Sequence, residues 1–308
     1  MSSSTNRDSK HLRREVGLLG AFGVGYADVG ADIYITVGLA TFYAMGAAPL
    51  AMALAAIAYA LTGLTYAQLA KRYPVAGGSQ HFAYVRFGPL HGFLAGWGLM
   101  LDYIIDVALF SLASIGYLGF LVERIFGCEL LLKNPTYAIA SSLLVVLLVV
   151  LNLLGIKASS RFNEVIVILS LATLVPVLVL GVVQLSGAMK LEVSAIGNEL
   201  PYSRFLYAVT ISMASFIGVE ASTQLAEEVR NAERVVPKAV LLTVATTIPV
   251  AILASALLTS IQPLSVKDIQ HPLTSLAGRI MHVGPYLALL TSIVSVFLCA
   301  ASANAGVI

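Results

Sequence analysis

Long apolar stretches recur every thirty to forty residues along this chain, separated by short polar and turn-rich breaks, and the pattern predicts eight membrane-spanning helices. They are expected over residues 16–44, 50–70, 90–122, 137–154, 163–185, 203–225, 239–261 and 283–308. Each reaches or nearly reaches the ~20 residues needed to cross ~30 Å of hydrocarbon. Composition removes the soluble alternative: 58% of the 308 residues are hydrophobic, 11% are charged and the mean hydropathy is +0.90. A water-soluble domain has nowhere to hide that much apolar surface. The reading is an all-α polytopic membrane helix bundle, one membrane domain over residues 16–308 behind a polar tail over residues 1–15. The apolar stretch behind the tail is too long and continuous for a cleavable signal.

Charge adds an orientation. With the amino terminus inside, twelve of the eighteen Lys and Arg residues fall on the cytoplasmic side and six on the other. That split places the tail in the cytoplasm of a multi-pass protein of the cytoplasmic membrane. Cys128 and Cys299 have no metal-ligand spacing, and the chain carries no phosphate loop or nucleotide fingerprint. An ATP-driven pump, a metal centre and a bound cofactor therefore find no support. The expected partners are the lipid bilayer and a small molecule, with no nucleic acid.

The candidate chemistry lies in the carboxylates. Asp28 and Asp32 sit in GVGYADVGADIY, Asp102 and Asp106 in GWGLMLDYIIDVALF, and neither stretch holds a Lys, Arg or His. Each carboxylate costs about 2.5 to 3.5 kcal/mol at a helix centre on insertion scales. Such a group calls for a cation, a proton or buried polar partners. Both pairs are four apart, so on an unbroken helix each pair shares a face, where two close carboxylates resist double ionisation. Proton coupling is one reading. Capping of broken helix ends, or bonds from Tyr26, Tyr34 or Tyr103, is the structural alternative.

Glycine points to where backbone could open. Gly20, Gly23, Gly25 and Gly30 crowd the first span, and Gly218 lies between Ser215 and Glu220 in the sixth. Broken backbone at membrane depth is tolerable against protein or a wet cavity, and it marks transporter sites when it occurs at matching places in two repeats. Close helix packing explains the same glycines equally well. Glu164 beside Arg161 reads as a solvated or paired edge group, Glu227 and Glu228 with Arg230 and Arg234 as an inner-loop network, and Trp97 as core packing.

Four segments carry a family resemblance. YAQLAKRYPVAGGSQHFAYVRFGP (66–89), NLLGIKASSRFN (152–163), FIGVEASTQLAEEVRNAERVVPKAV (216–240) and the terminal SANAG resemble, in order, the amino acid, polyamine and organocation permeases. The resemblance implies a leucine-transporter-like fold with helices 1 and 6 broken and about eight transmembrane helices present. The first five-helix repeat is then complete and the second incomplete, where the family continues for about four more helices. It implies a secondary active transporter for amino acids or related amines, working by alternating access and driven by H+ or Na+. Carried over, Gly30, Ala31 and Asp32 match the first break, Phe216, Ile217 and Gly218 the second, and Tyr103 joins them at the substrate. Asp28, Asp32, Asp102, Asp106 and Ser302 are the expected proton or cation coupling set.

Some positions depart from the pattern. Asp32 stands where the family has a second glycine, and a carboxylate there repels a substrate carboxylate unless it is protonated or paired. Gln68 replaces a usual glutamate and Ala232 a usual proline, both on the cytoplasmic side. A potassium-uptake branch of the same superfamily shares an aspartate-tyrosine pair like that in LDYII, but Ile35 stands where its cation-binding tyrosine is expected. An intramembrane aspartyl protease needs tyrosine-aspartate and glycine-x-glycine-aspartate pairs, and neither is here.

Overall fold

The computed structural model describes residues 14–153 and 156–307, without the side chains of residues 156–160. Residues 1–13 of the expected tail, part of the 152–163 motif, and Ile308 lie outside the described residues. Twelve α-helices account for nearly all the regular structure: α1 Leu18–Ala44, α2 Ala48–Arg72, α3 Gly78–Phe87, α4 Pro89–Phe126, α5 Thr136–Leu153, α6 Ile156–Leu185, α7 Tyr202–Ala214, α8 Ala221–Gln224, α9 Ala232–Leu258, α10 Val266–Gln270, α11 Pro272–Gly278 and α12 Gly284–Val307. The only β pairing among the described residues is two isolated bridges, Val16 with Val229 and Ile196 with Leu200.

Among the described residues six stretches are long and apolar enough to span a membrane. The first of these, Leu18–Arg72, holds both α1 and α2, divided by a single 3-10 turn at Met45–Ala47 where Met45 takes a φ of 52°. The sixth expected span is α7 and α8, and it is broken. The protein is thus a multi-pass helical bundle, and each of the eight expected spans falls on helix.

α1 is the axis of the bundle. Every residue from Gly20 to Tyr34 is buried, including Asp28 and Asp32. A helix without a polar face belongs in the middle. α9, α12, α7 and α6 surround it, α2 packs on α9 and α7, and α4 lies against α12. Large apolar side chains such as Ile104 and Ile105 on α4 and Leu143 and Leu147 on α5 point outward, as a bilayer requires. Many buried hydroxyls bond back to their own helix, as when Thr243 donates to Ala239 O and Ser292 to Ala288 O.

The expected interruption of helix 1 is absent. α1 runs unbroken for 27 residues, and none of the glycines with positive φ lies in it. Its glycines serve close packing: a Cβ on Gly23 would touch the Glu164 backbone at 3.4 Å, and one on Gly30 the Tyr26 ring at 2.9 Å. At Gly25 the added atom would press on Ser222 Oγ, which donates to Ala21 O at 2.8 Å, and would lie 3.2 Å from Thr243 Oγ1. Gly25→Val is therefore expected to destabilise the fold by about 1 to 3 kcal/mol through overpacking. Thermal unfolding of the detergent-purified protein measures this, and an unchanged melting temperature would remove the packing role.

Trp97 also departs from expectation. It is 50% exposed on α4 and stacks on Phe93 with ring centroids 6.3 Å apart, so it covers the outer face of the helix. The indole is amphipathic and suits such a position.

Candidate functional site

The break between α7 and α8, residues 215–220, is the one place where a spanning segment of the described chain loses its helix at depth. Gly218 sits at a φ of 102°, which a side chain would strain, and the Asp28 carboxylate occupies the space where its Cβ would stand. Across from Gly218, Ser302 on α12 donates to Asp28 Oδ1 at 2.8 Å. One carboxylate thus joins α1, the break and α12. Behind Ser302, Asn304 donates to Asn163 Oδ1 at 3.1 Å and accepts from Asn152 at 2.9 Å, fixing the end of α12 to α5 and α6.

Asp32 lies one turn further along α1, buried on the same face. Its backbone carbonyl accepts from Thr36 Oγ1 at 2.6 Å, and Thr36 Oγ1 meets Ser215 Oγ at 2.5 Å, which ties α1 to the start of the break. Phe216 is buried and stacks on Tyr59 of α2, centroids 4.9 Å apart and planes 18° from parallel. Ile217 is 38% exposed. Because α1 is continuous, the backbone N–H groups of Gly30, Ala31 and Asp32 are held within a helix and are not opened as ligands. This corrects the first-break expectation, while the second break stands where expected.

α4 brings the other acids. Asp106 is buried, Asp102 and Tyr103 are half-buried, and Glu220 at the end of the break is buried. Asp106, Glu220 and Asp102 all act electrostatically on Asp28, and the same three together with Asp28 act on Asp32. No basic group among the described residues figures in the charges acting on either. Among the described residues no three His, Cys, Asp or Glu side chains stand close enough to hold a metal ion, so the five carboxylates mark a path and not a compact cage. The expected tyrosine donors do not serve it: Tyr34 pairs with Ser170 Oγ at 3.4 Å, and the buried hydroxyls of Tyr26 and Tyr103 have no hydrogen-bond partner among the described residues.

A cavity of about 460 Å³ opens beside this path, with Tyr103, Gln224, Gln80, Met100 and Gly306 in its walls. It reaches Tyr103 and stops short of Asp28, which is 3% exposed. A smaller, separate cavity of about 80 Å³ also borders Tyr103 and Gln224 and has Val24 and Glu228 in its walls. Gln224 and the Thr36 to Ser215 link are not among the residues expected from sequence. The four-residue step from Glu220 to Gln224 was the available signal, since a helix places both on one face. In the turn after α8, Glu227 Oε1 accepts from Ala76 N at 3.4 Å and Arg230 Nε donates to Arg14 O at 3.1 Å, so that network runs to neighbouring segments.

Comparison with known proteins places these features in a wider group. The profile of a family described as amino acid permease matches residues 18–307. The chain is 29% identical to the low-affinity putrescine importer PlaP of Escherichia coli (strain K12), over 98% of this chain and 67% of that protein. It is 26% identical to the methylthioribose transporter of Bacillus subtilis (strain 168), over 88% and 60%, and 26% identical to the branched-chain amino acid permease BcaP of the same strain, over 86% and 59%. The chain spans about three-fifths to two-thirds of the length of these relatives.

Proposed function

Because the chain belongs to the amino acid permease family, a family of membrane transporters and not of enzymes, we propose that it forms the substrate-handling part of a secondary active transporter for cationic amines or cationic amino acids. The observation that carries this reading is that Asp28 and Asp32 are buried on α1 with Asp102, Asp106 and Glu220 near enough to act on them electrostatically, and that among the described residues no basic group figures among the charges acting on either. Uncompensated negative charge at that depth calls for a positive occupant. An ammonium group or a proton supplies it, whereas the carboxylate end of a neutral amino acid would meet Asp32 with like charge. That one relative is a putrescine importer agrees with this preference.

The roles follow from position. Asp28, held by Ser302 against Gly218, is the receptor for an ammonium group or the coupling proton. Phe216 and Tyr59 supply an aromatic wall, and Tyr103 with Gln224 forms the inner wall next to the open cavity. Alternating access in a leucine-transporter-like arrangement would move the α7 to α8 segment against α1, with H+ or Na+ as the driving ion and the amino terminus in the cytoplasm. Residues 1–15 are its tail and residues 16–308 its transport domain. Ile35 lines an outer, mostly aliphatic cavity of about 520 Å³ and offers no oxygen to potassium, so the amine reading is preferred over potassium uptake. Asp28 is bonded to Ser302 and not to a second carboxylic acid, which is the wrong pairing for an aspartyl protease dyad.

Proteoliposomes of the protein should take up labelled putrescine or lysine when an inward proton gradient is imposed, with leucine transported at least about tenfold less well, a 1.4 kcal/mol discrimination. Uptake of leucine in preference to both cations would overturn the cationic assignment. No uptake from a broad amino acid and amine panel would overturn the transport reading for this chain.

A further inference from the structure

The inner end of the carboxylate path holds one acid that the proposed substrate site does not use. Glu228 lies in the turn between α8 and α9, and its Oε2 is sealed from solvent with no hydrogen-bond partner. The small cavity of about 80 Å³ touches it and has Tyr103 and Gln224 on its far side. That volume holds a few water molecules at ~30 Å³ each. The larger cavity shares the Tyr103, Gln224 and Gly306 walls, so Glu228 lies on the far side of those residues from it.

The backbone of Glu228 is part of a clasp. Val16 N donates to Glu228 O at 3.1 Å, Arg230 N donates to Val16 O at 2.9 Å, and Arg230 Nε donates to Arg14 O. The segment just before α1 is thereby strapped across the turn that carries Glu228. From this we propose that Glu228 is a proton-operated latch at the cytoplasmic end, whose neutral form keeps the Arg14 to Val16 strap closed and whose ionised form releases it. The proposal rests on the transport reading only for its purpose, which is to open the inner side to substrate.

The electrostatics agree with the geometry. Burial, then the like charge of Glu227, pushes the Glu228 carboxyl above the ordinary glutamate range. Tyr103 is the one titratable side chain that shares the small cavity with it, and Arg14, Glu15 and Arg230 are the charged residues of the adjoining strap and turn. An acid whose pKa is raised in the closed state stabilises that state below its ordinary pKa and loses this contribution as pH rises through the raised value. On opening, the Glu228 O–H breaks and its proton passes to water, leaving the carboxylate hydrated.

Hydrogen exchange of the strap amides in the intact detergent-solubilised protein tests this, after correction for the intrinsic pH dependence of exchange. The expected result is exchange about tenfold or more faster at alkaline than at acid pH in the wild type. Glu228→Gln, isosteric and permanently neutral, should stay slow throughout, and Glu227→Gln should keep the opening. Strap exchange independent of pH in the wild type, or an unchanged pH response in Glu228→Gln, would overturn the latch. Uptake by a protein without a pH-dependent strap would overturn the latch and leave the transport reading standing, whereas a pH-dependent strap without uptake would do the reverse.

Discussion

Asp28→Asn is expected to reduce uptake of a cationic substrate by about 30-fold to 3,000-fold, the equivalent of roughly 2 to 5 kcal/mol for removing one partner of a buried charge pair. The substitution isolates charge from shape. An asparagine has nearly the same volume, and its side-chain oxygen can still accept from Ser302 as Asp28 Oδ1 does. The fold should therefore survive, with an unchanged melting temperature, while the negative charge beside Gly218 is gone. Radiolabelled uptake and equilibrium binding on the same preparation check it. Uptake within threefold of wild type would return Asp28 to a purely structural role.

Gly218→Ala is expected to abolish transport and lower stability together. At a φ of 102° a non-glycine residue costs roughly 1 to 3 kcal/mol in backbone strain, and here the new methyl would also displace the Asp28 carboxylate from its seat. The two effects can be separated with Gly127→Ala. Gly127 also has a positive φ, 67°, at the end of α4, but a Cβ there would meet no atom within 4 Å. It should show the strain alone, as a modest loss in thermal unfolding with uptake retained. Equal loss of uptake in both variants would mean that the space at Gly218 carries no specific function.

The bundle was legible because membrane depth sets helix length, and the apolar runs showed it directly: α2 and α4 end within a few residues of their predicted limits. The broken sixth segment was legible for a related reason. Gly218 is flanked by Ser215 and Glu220, polar groups that a lipid-facing helix would not carry at that depth, and the structure opens there. Gly23, Gly25 and Gly30 gave the same signal for a different cause. A glycine in a string of letters does not show whether its missing side chain frees the backbone or admits a neighbour, and here Ser222, Glu164 and the Tyr26 ring fill the space.

The site was partly legible. Asp28 and Ser302 were both named from sequence, but they are 274 residues apart, and only the packing of α12 on α1 puts them 2.8 Å from each other. Tyr26 and Tyr34 looked like natural donors because they are local in sequence, yet the helix carries Tyr34 to Ser170 on α6 and leaves the Tyr26 hydroxyl without a partner among the described residues. Trp97 shows the same limit: its burial depends on which face of α4 meets a neighbour, and the face with Phe93 meets none within the described bundle.

If the carboxylates around Asp28 hold a positive occupant, a cationic substrate has to displace protons as it binds. In a weakly buffered detergent solution of the purified protein, binding of putrescine should acidify the medium as ammonium groups replace protons along the path, and Asp28→Asn should reduce the release. Putrescine binding without acidification, or release identical in Asp28→Asn, would mean that Asp28 and its neighbours hold no exchangeable cation.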